Sequence, residues 1–155
     1  MNAEANKTLV RRYFEEALDH PEIYEDLLAD GFQVHPIHHA TVISDEGSGP
    51  PAFKTFAAWL QSTWSGPSMS VETIVAEADW ATAHWTFRGT HDRGPFLGVP
   101  PSGKRIEYAG VTVFRVEEGK LAEGWALFDR LWLFQQLGII PETAELLAKA
   151  GAPGA

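Results

Sequence analysis

Leu9, Val10, Tyr13, Phe14, Ala17 and Leu18 recur three and four positions apart, which predicts an amphipathic helix ending near Asp19-His20. Pro21 suits the first turn of a second helix carrying Ile23, Leu27 and Leu28, which Gly31 closes. Phe32-Gln33-Val34-His35 alternates briefly, and the His-, Gly-, Ser- and Pro-rich stretch 36–51 reads as a long loop. Phe53, Phe56, Ala57, Leu60 and Trp64 then mark a third helix, stopped by Ser65-Gly66-Pro67.

From Met69 the period changes to two. Val71, Thr73 and Val75 alternate, followed by Ala81, Ala83, Trp85 and Phe87, then Val111, Val113 and Arg115, then the run from Leu121 to Asp129. Glu117-Glu118-Gly119-Lys120 predicts a tight hairpin, which sets Val113 opposite Trp125 and Ala109 opposite Asp129. Asp129 then shares a strand face with Val111, Val113, Trp125 and Leu127, expected to be the apolar inner one. Short helices are expected over 131–137 and 141–149. Three helices followed by an antiparallel meander predict an α+β fold, a cone-shaped curved sheet with the helices closing one face and a ligand-sized mouth inside.

Composition narrows the class. A chain of 155 residues, 45% hydrophobic, fits one domain over 1–150, with 151–155 a frayed tail. A formal charge of -9 without any Lys/Arg cluster argues against nucleic acid or an anionic membrane as partner and points to a neutral or apolar small molecule. There is no cysteine, so thiolate chemistry and zinc-cysteine sites are excluded. The polar N-terminus has no signal-peptide core, and cytoplasmic residence is the default expectation.

Asp129 carries the main chemical expectation. A carboxylate on the apolar side of a strand is costly unless paired or protonated, and such a group can shuttle a proton at neutral pH. The competing reading is that it caps the helix that Asp-Arg-Leu-Trp begins. His35 ends a strand where a loop starts, a common address for catalytic side chains. With His38 and His39 it forms a cluster, but convergent ligands are too few for a metal site, so none is expected. His91 shares parity with Ala83, Trp85 and Phe87 and is expected to point inward. Tyr13, Phe14, Phe56, Trp59, Trp64, Trp85 and Trp125 offer an apolar pocket or plain core. Arg115 and Glu123 are expected to pair across the hairpin. No Gly-rich phosphate loop and no Gly-x-Ser-x-Gly occurs.

Several stretches resemble the SnoaL-like polyketide cyclase (ester cyclase) family, within the ketosteroid-isomerase-like, nuclear transport factor 2-like superfold. They are Asn6-Lys7-x-Leu9-Val10-Arg11-Arg12-Tyr13-Phe14, Phe32-x-x-His35, Gly89-Thr90-His91, Gly94-Pro95-Phe96-Leu97-Gly98-Val99-Pro100-Pro101-Ser102-Gly103-Lys104, and Trp125-x-x-x-Asp129 followed by Gln136-Leu137-Gly138. The resemblance implies the cone fold, a homodimer and no metal or organic cofactor. It also implies an aldol ring closure of a polyketide-like methyl ester, with Asp129 as acid/base. On this reading Asp129 and His35 are catalytic, and His91, Trp125, Phe14, Phe56, Trp59, Trp85 and Val113 bind substrate. An epoxide-opening enzyme on the same fold, for which Glu107 and Asp129 would be the only inward acids, and a noncatalytic binding domain are the alternatives. The dimer contact is expected on the outer sheet face, through Thr82, His84, Thr86 and Arg88.

Overall fold

The computed structural model describes residues 2–36 and 47–151. The N-terminal helix α1 (Ala3–Glu15) is capped by the Asn2 side chain, which accepts from the Glu4 N–H at 3.1 Å, and it buries Asn6, Val10 and Phe14. A 3-10 turn (Pro21–Ile23) leads into the single turn α2 (Tyr24–Leu27), shorter than the expected second helix. After the short strand β1 (Val34–Pro36), helix α3 (Gly49–Thr63) begins ahead of its first aromatic residue, inside the stretch expected to be loop. Gly49 permits this start. Its φ is +70°, and a Cβ there would collide with the carbonyl oxygen of Asp30.

Four long strands follow: β2 (Ser65–Glu77), β3 (Trp80–His91), β4 (Lys104–Glu117) and β5 (Lys120–Phe128). Helices α4 (Arg130–Gln136) and α5 (Thr143–Lys149) complete the chain. The sheet order is β1-β5-β4-β3-β2. The meander is antiparallel as expected, but β1 adds to β5 in parallel, with His35 beside Trp125. The β4–β5 turn has Glu118 and Gly119 at φ 48° and 80°, the backbone twist that two-residue hairpins favour. That turn pairs Glu117 with Lys120, and a register shift of one residue between Arg115 and Val116 then brings Val113 opposite Trp125, as expected.

Which face is inside is decided by β3. Ala81, Ala83, Trp85, Phe87, Gly89 and His91 are all buried, and they pair with even-numbered positions of β4: Phe114, Thr112, Gly110, Tyr108 and Ile106. Through the β4–β5 register these continue into Gly124, Ala126 and Phe128. Val111, Val113, Trp125 and Leu127 therefore lie on the outer face, with Val111 39% and Leu127 44% exposed. The expectation that they and Asp129 face inward is reversed.

Helix α4 is locked to the sheet by Gln136, whose side chain donates to Glu107 O at 2.8 Å and accepts from Glu107 N at 3.1 Å. The connection between β3 and β4 is held by His91, fully buried against Trp64. Its Nε2–H donates to the Gly94 carbonyl at 3.0 Å, which leaves Nδ1 to accept from the Ser102 hydroxyl at 3.2 Å. No described helix is long and apolar enough to cross a membrane.

Candidate active site

Between the helices and the inner sheet face lies a cavity of about 390 Å³, within the size range of small-molecule sites. Each wall follows from a periodic stretch of sequence. Helix α1 contributes Tyr13 and Phe14, and α3 contributes Phe53, Phe56 and Leu60 from one stripe, with Trp59 beside them. The floor is the inner sheet face: Trp85 from β3, Tyr108 and Thr112 from β4, Ala126 and Phe128 from β5. Trp85 stacks on Phe14 at 5.7 Å between ring centroids, and its Nε1–H donates to Thr112 Oγ1 at 2.9 Å. Gln33, Val34, His35 and Arg130 complete the lining, and the Arg130 guanidinium lies 5.0 Å from the Phe128 ring centroid.

The expected binding residues divide cleanly. Phe14, Phe56, Trp59 and Trp85 line the cavity. Trp125 and Val113 do not, because their strand parity turns them outward, where Trp125 stacks against Trp80 at 5.6 Å. His91 points inward as expected, but both ring nitrogens are spent on the β3–β4 connection, so it braces a loop rather than touching the cavity. Glu107 is also outside, paired with Arg88 at 2.7 Å.

Asp129 follows the last residue of β5 and caps α4, its Oδ1 accepting from the Trp132 N–H at 2.9 Å. Its carboxylate is exposed rather than buried in apolar surroundings. Its two neighbours in sequence, Phe128 and Arg130, both line the cavity. His35, expected to be catalytic, stands at the cavity wall, but it pairs in register with Trp125, so its ring is turned to the outer sheet face while Val34 faces inward beside Gly124. The His35 Nε2 lies 2.9 Å from Glu123 Oε1, and its ring is 5.7 Å from that of Trp125. The other oxygen of Glu123 is held by Arg115, at 3.2 Å from Nη2 and 3.4 Å from Nε, as the hairpin pairing predicts. The hydrogen bond from His35, followed by that from Arg115, holds the Glu123 carboxyl below the usual range. Four residues of strand rise and one strand spacing put the Cα atoms of His35 and Asp129 on the order of 14 Å apart.

Tyr24 and Tyr108 were not among the expected pocket aromatics, whereas Tyr13 was. Tyr13, Tyr24 and Tyr108 all line the cavity, and burial raises the pKa of each, with Tyr24 adding to the effect at Tyr13. They are neutral hydroxyls, and none has a protein hydrogen bond among the described residues. Tyr108 carries no signal of this place in the sequence: its inward parity follows from its pairing with Phe87 across the irregular 92–103 connection. The His38, His39, Asp45 and Glu46 cluster lies outside the described residues. Among those described, no group of three potential metal ligands occurs.

The SnoaL-like polyketide cyclase family profile matches residues 8–137. The chain belongs to that family. The match takes in α1 to α4, every element that builds the cavity. Among characterised cyclases, the chain is 28% identical over 108 residues to nogalonic acid methyl ester cyclase of Streptomyces nogalater, covering 68% of this chain and 80% of that one. It is 29% identical over 91 residues to aklanonic acid methyl ester cyclase DnrD of Streptomyces peucetius, covering 58% of this chain and 62% of that one. The structure of TsrD from Streptomyces laurentii superposes with a TM-score of 0.75 at 25% identity, over 90% of this chain and 99% of that one. The cyclase family and its α+β cone are thus established for this chain.

Proposed function

We propose that this cyclase closes a ring in a small, largely apolar, polyketide-like ester by an intramolecular aldol step, without metal or organic cofactor. The observation that carries the reading is the aromatic cavity with Asp129 between two of its lining residues. Flat aromatic walls favour a planar conjugated substrate, and the neutral tyrosine hydroxyls suit its carbonyl oxygens. Holding one flexible chain folded with its reacting carbons together supplies much of the acceleration.

Asp129 takes the proton from the carbon between two carbonyls, turning from its cap at a cost of about 1 kcal/mol, that of one exposed hydrogen bond. The enolate carbon bonds to the ketone carbon. The alkoxide so formed takes that same proton back from Asp129 through water, so no second acid is consumed. The product is an isomer of the substrate.

Turnover of nogalonic acid methyl ester, the compound named for one relative, tests the proposal. Asp129→Asn is expected to lower kcat on the order of 100-fold or more. Wild-type rates in that variant would overturn the mechanism.

A further inference from the structure

We propose that Arg130 forms an oxyanion subsite in the cavity wall: its guanidinium takes the negatively charged oxygen of an enolised 1,3-dicarbonyl ligand. This deepens the proposed aldol step and rests on it for the identity of the anion. Arg130 is half-buried and lines the cavity, with its guanidinium carbon 5.0 Å from the centroid of the Phe128 ring. Phe128 is itself a lining residue, and its ring packs on those of Tyr108 and Trp85 at 5.5 and 6.4 Å, both also in the lining. The contact with Phe128 holds the cation at the wall.

The rest of the lining suits an anion there. Among the described residues that line the cavity there is no aspartate or glutamate, and Arg130 is the only arginine or lysine. Burial keeps Tyr13, Tyr24 and Tyr108 protonated, so they bring hydroxyl donors and no negative charge. In apolar surroundings a cation attracts an anion more strongly than in water. A guanidinium has five N–H donors in a planar fork, so it can bind a ligand oxygen beside any bond it makes to the protein. Asp129, the proposed base, is the preceding residue, and consecutive Cα atoms are about 3.8 Å apart. Removing the proton from the carbon between two carbonyls sends the C–H electron pair onto a carbonyl oxygen two bonds away. Adjacent residues then meet adjacent parts of one ligand unit, the carboxylate at the carbon and the guanidinium at the oxygen. Arg130 keeps its own protons, and the charge leaves that oxygen when the enolate carbon bonds to the ketone.

The test titrates 4-nitrophenol, a planar acid with a yellow anion, with the full chain in excess and reads the pH at which the bound probe ionises. Wild type is expected to prefer the phenolate over the phenol about tenfold, the low end of what one opposite charge nearby confers. Arg130→Met, which keeps a long side chain on Phe128, should lose the preference, and so should Arg130→Gln, which keeps hydrogen-bond donors without the charge. Asp129→Asn should retain it. In turnover, both Arg130 variants should lose kcat on the order of 100-fold, with thermal melts within a few degrees of wild type. A wild-type protein that does not bind the probe, or binds phenol and phenolate alike, would overturn the subsite, as would a preference that survives in either Arg130 variant. Loss of the preference with wild-type kcat would uphold the anion site and overturn its part in the reaction. A preference that depends on Arg130, in a protein whose Asp129→Asn variant turns over normally, would uphold the subsite and sink the base assignment instead.

Discussion

Replacing Gly110 by alanine puts a methyl group where the Trp85 indole already lies. A Cβ at that position would stand 2.7 Å from Trp85 Cη2 and 2.8 Å from Phe128 Cβ, with Cζ2 nearer still. Buried Trp85 and half-buried Phe128 flank it, so the indole must move and its bond to Thr112 breaks. Overpacking costs about 1–3 kcal/mol and the lost bond about 1 kcal/mol more. The sum, roughly 2–4 kcal/mol, lowers Tm by about 5–15 °C in a chain of this size. Calorimetry and near-ultraviolet circular dichroism read the loss and the displaced indole. The decisive measurement is a double-mutant cycle with Trp85→Phe, which removes the two indole atoms in conflict. The pair should cost at least ~1 kcal/mol less than the two single changes together. A wild-type Tm in Gly110→Ala, or strict additivity in the cycle, would refute the argument.

Asp129→Asn should melt within about 0.5 kcal/mol of wild type, because asparagine caps a helix as well as aspartate, and a large stability loss there would show that the carboxylate is structural. Dialysis against a strong chelator should leave Tm and turnover unchanged, and recovery of either by one particular divalent ion would reverse that expectation. The outer sheet face, where Trp80, Val111 and Leu127 are exposed beside Thr82 and His84, is expected to join two copies. Light scattering at micromolar concentration should give a dimer mass, lost on Leu127→Glu, whereas a monomer mass would remove the interface.

The architecture was legible because helical stripes and the period of two are strong signals, and Glu118-Gly119 marked one hairpin. Sidedness was not. Strands β4 and β5 are apolar on both faces, with Val111, Val113, Trp125 and Leu127 outside and Tyr108, Phe114, Ala126 and Phe128 inside, so alternation alone could not choose between them. The choice comes from the pairing of β4 with β3, and twelve residues of irregular loop, 92–103, hide that register from the sequence. The misplacement of Trp125, Val113 and Asp129 has this one cause. The parallel addition of β1 was illegible for a related reason: its partner is β5, nearly ninety positions away.

The same loop, once seen, has another meaning. Its base is tied at His91, and Phe96 and Val99 close on each other through two backbone hydrogen bonds of 2.9 Å, which leaves Leu97 and Gly98 as an exposed two-residue tip. What this loop gives to the cavity wall, the buried Phe96 ring, precedes that tip. The tip can therefore lengthen or change composition without the wall feeling it. A lineage that needed a new lid, or an engineer who wanted to graft one, has a place to start beside the pocket at little risk to the fold.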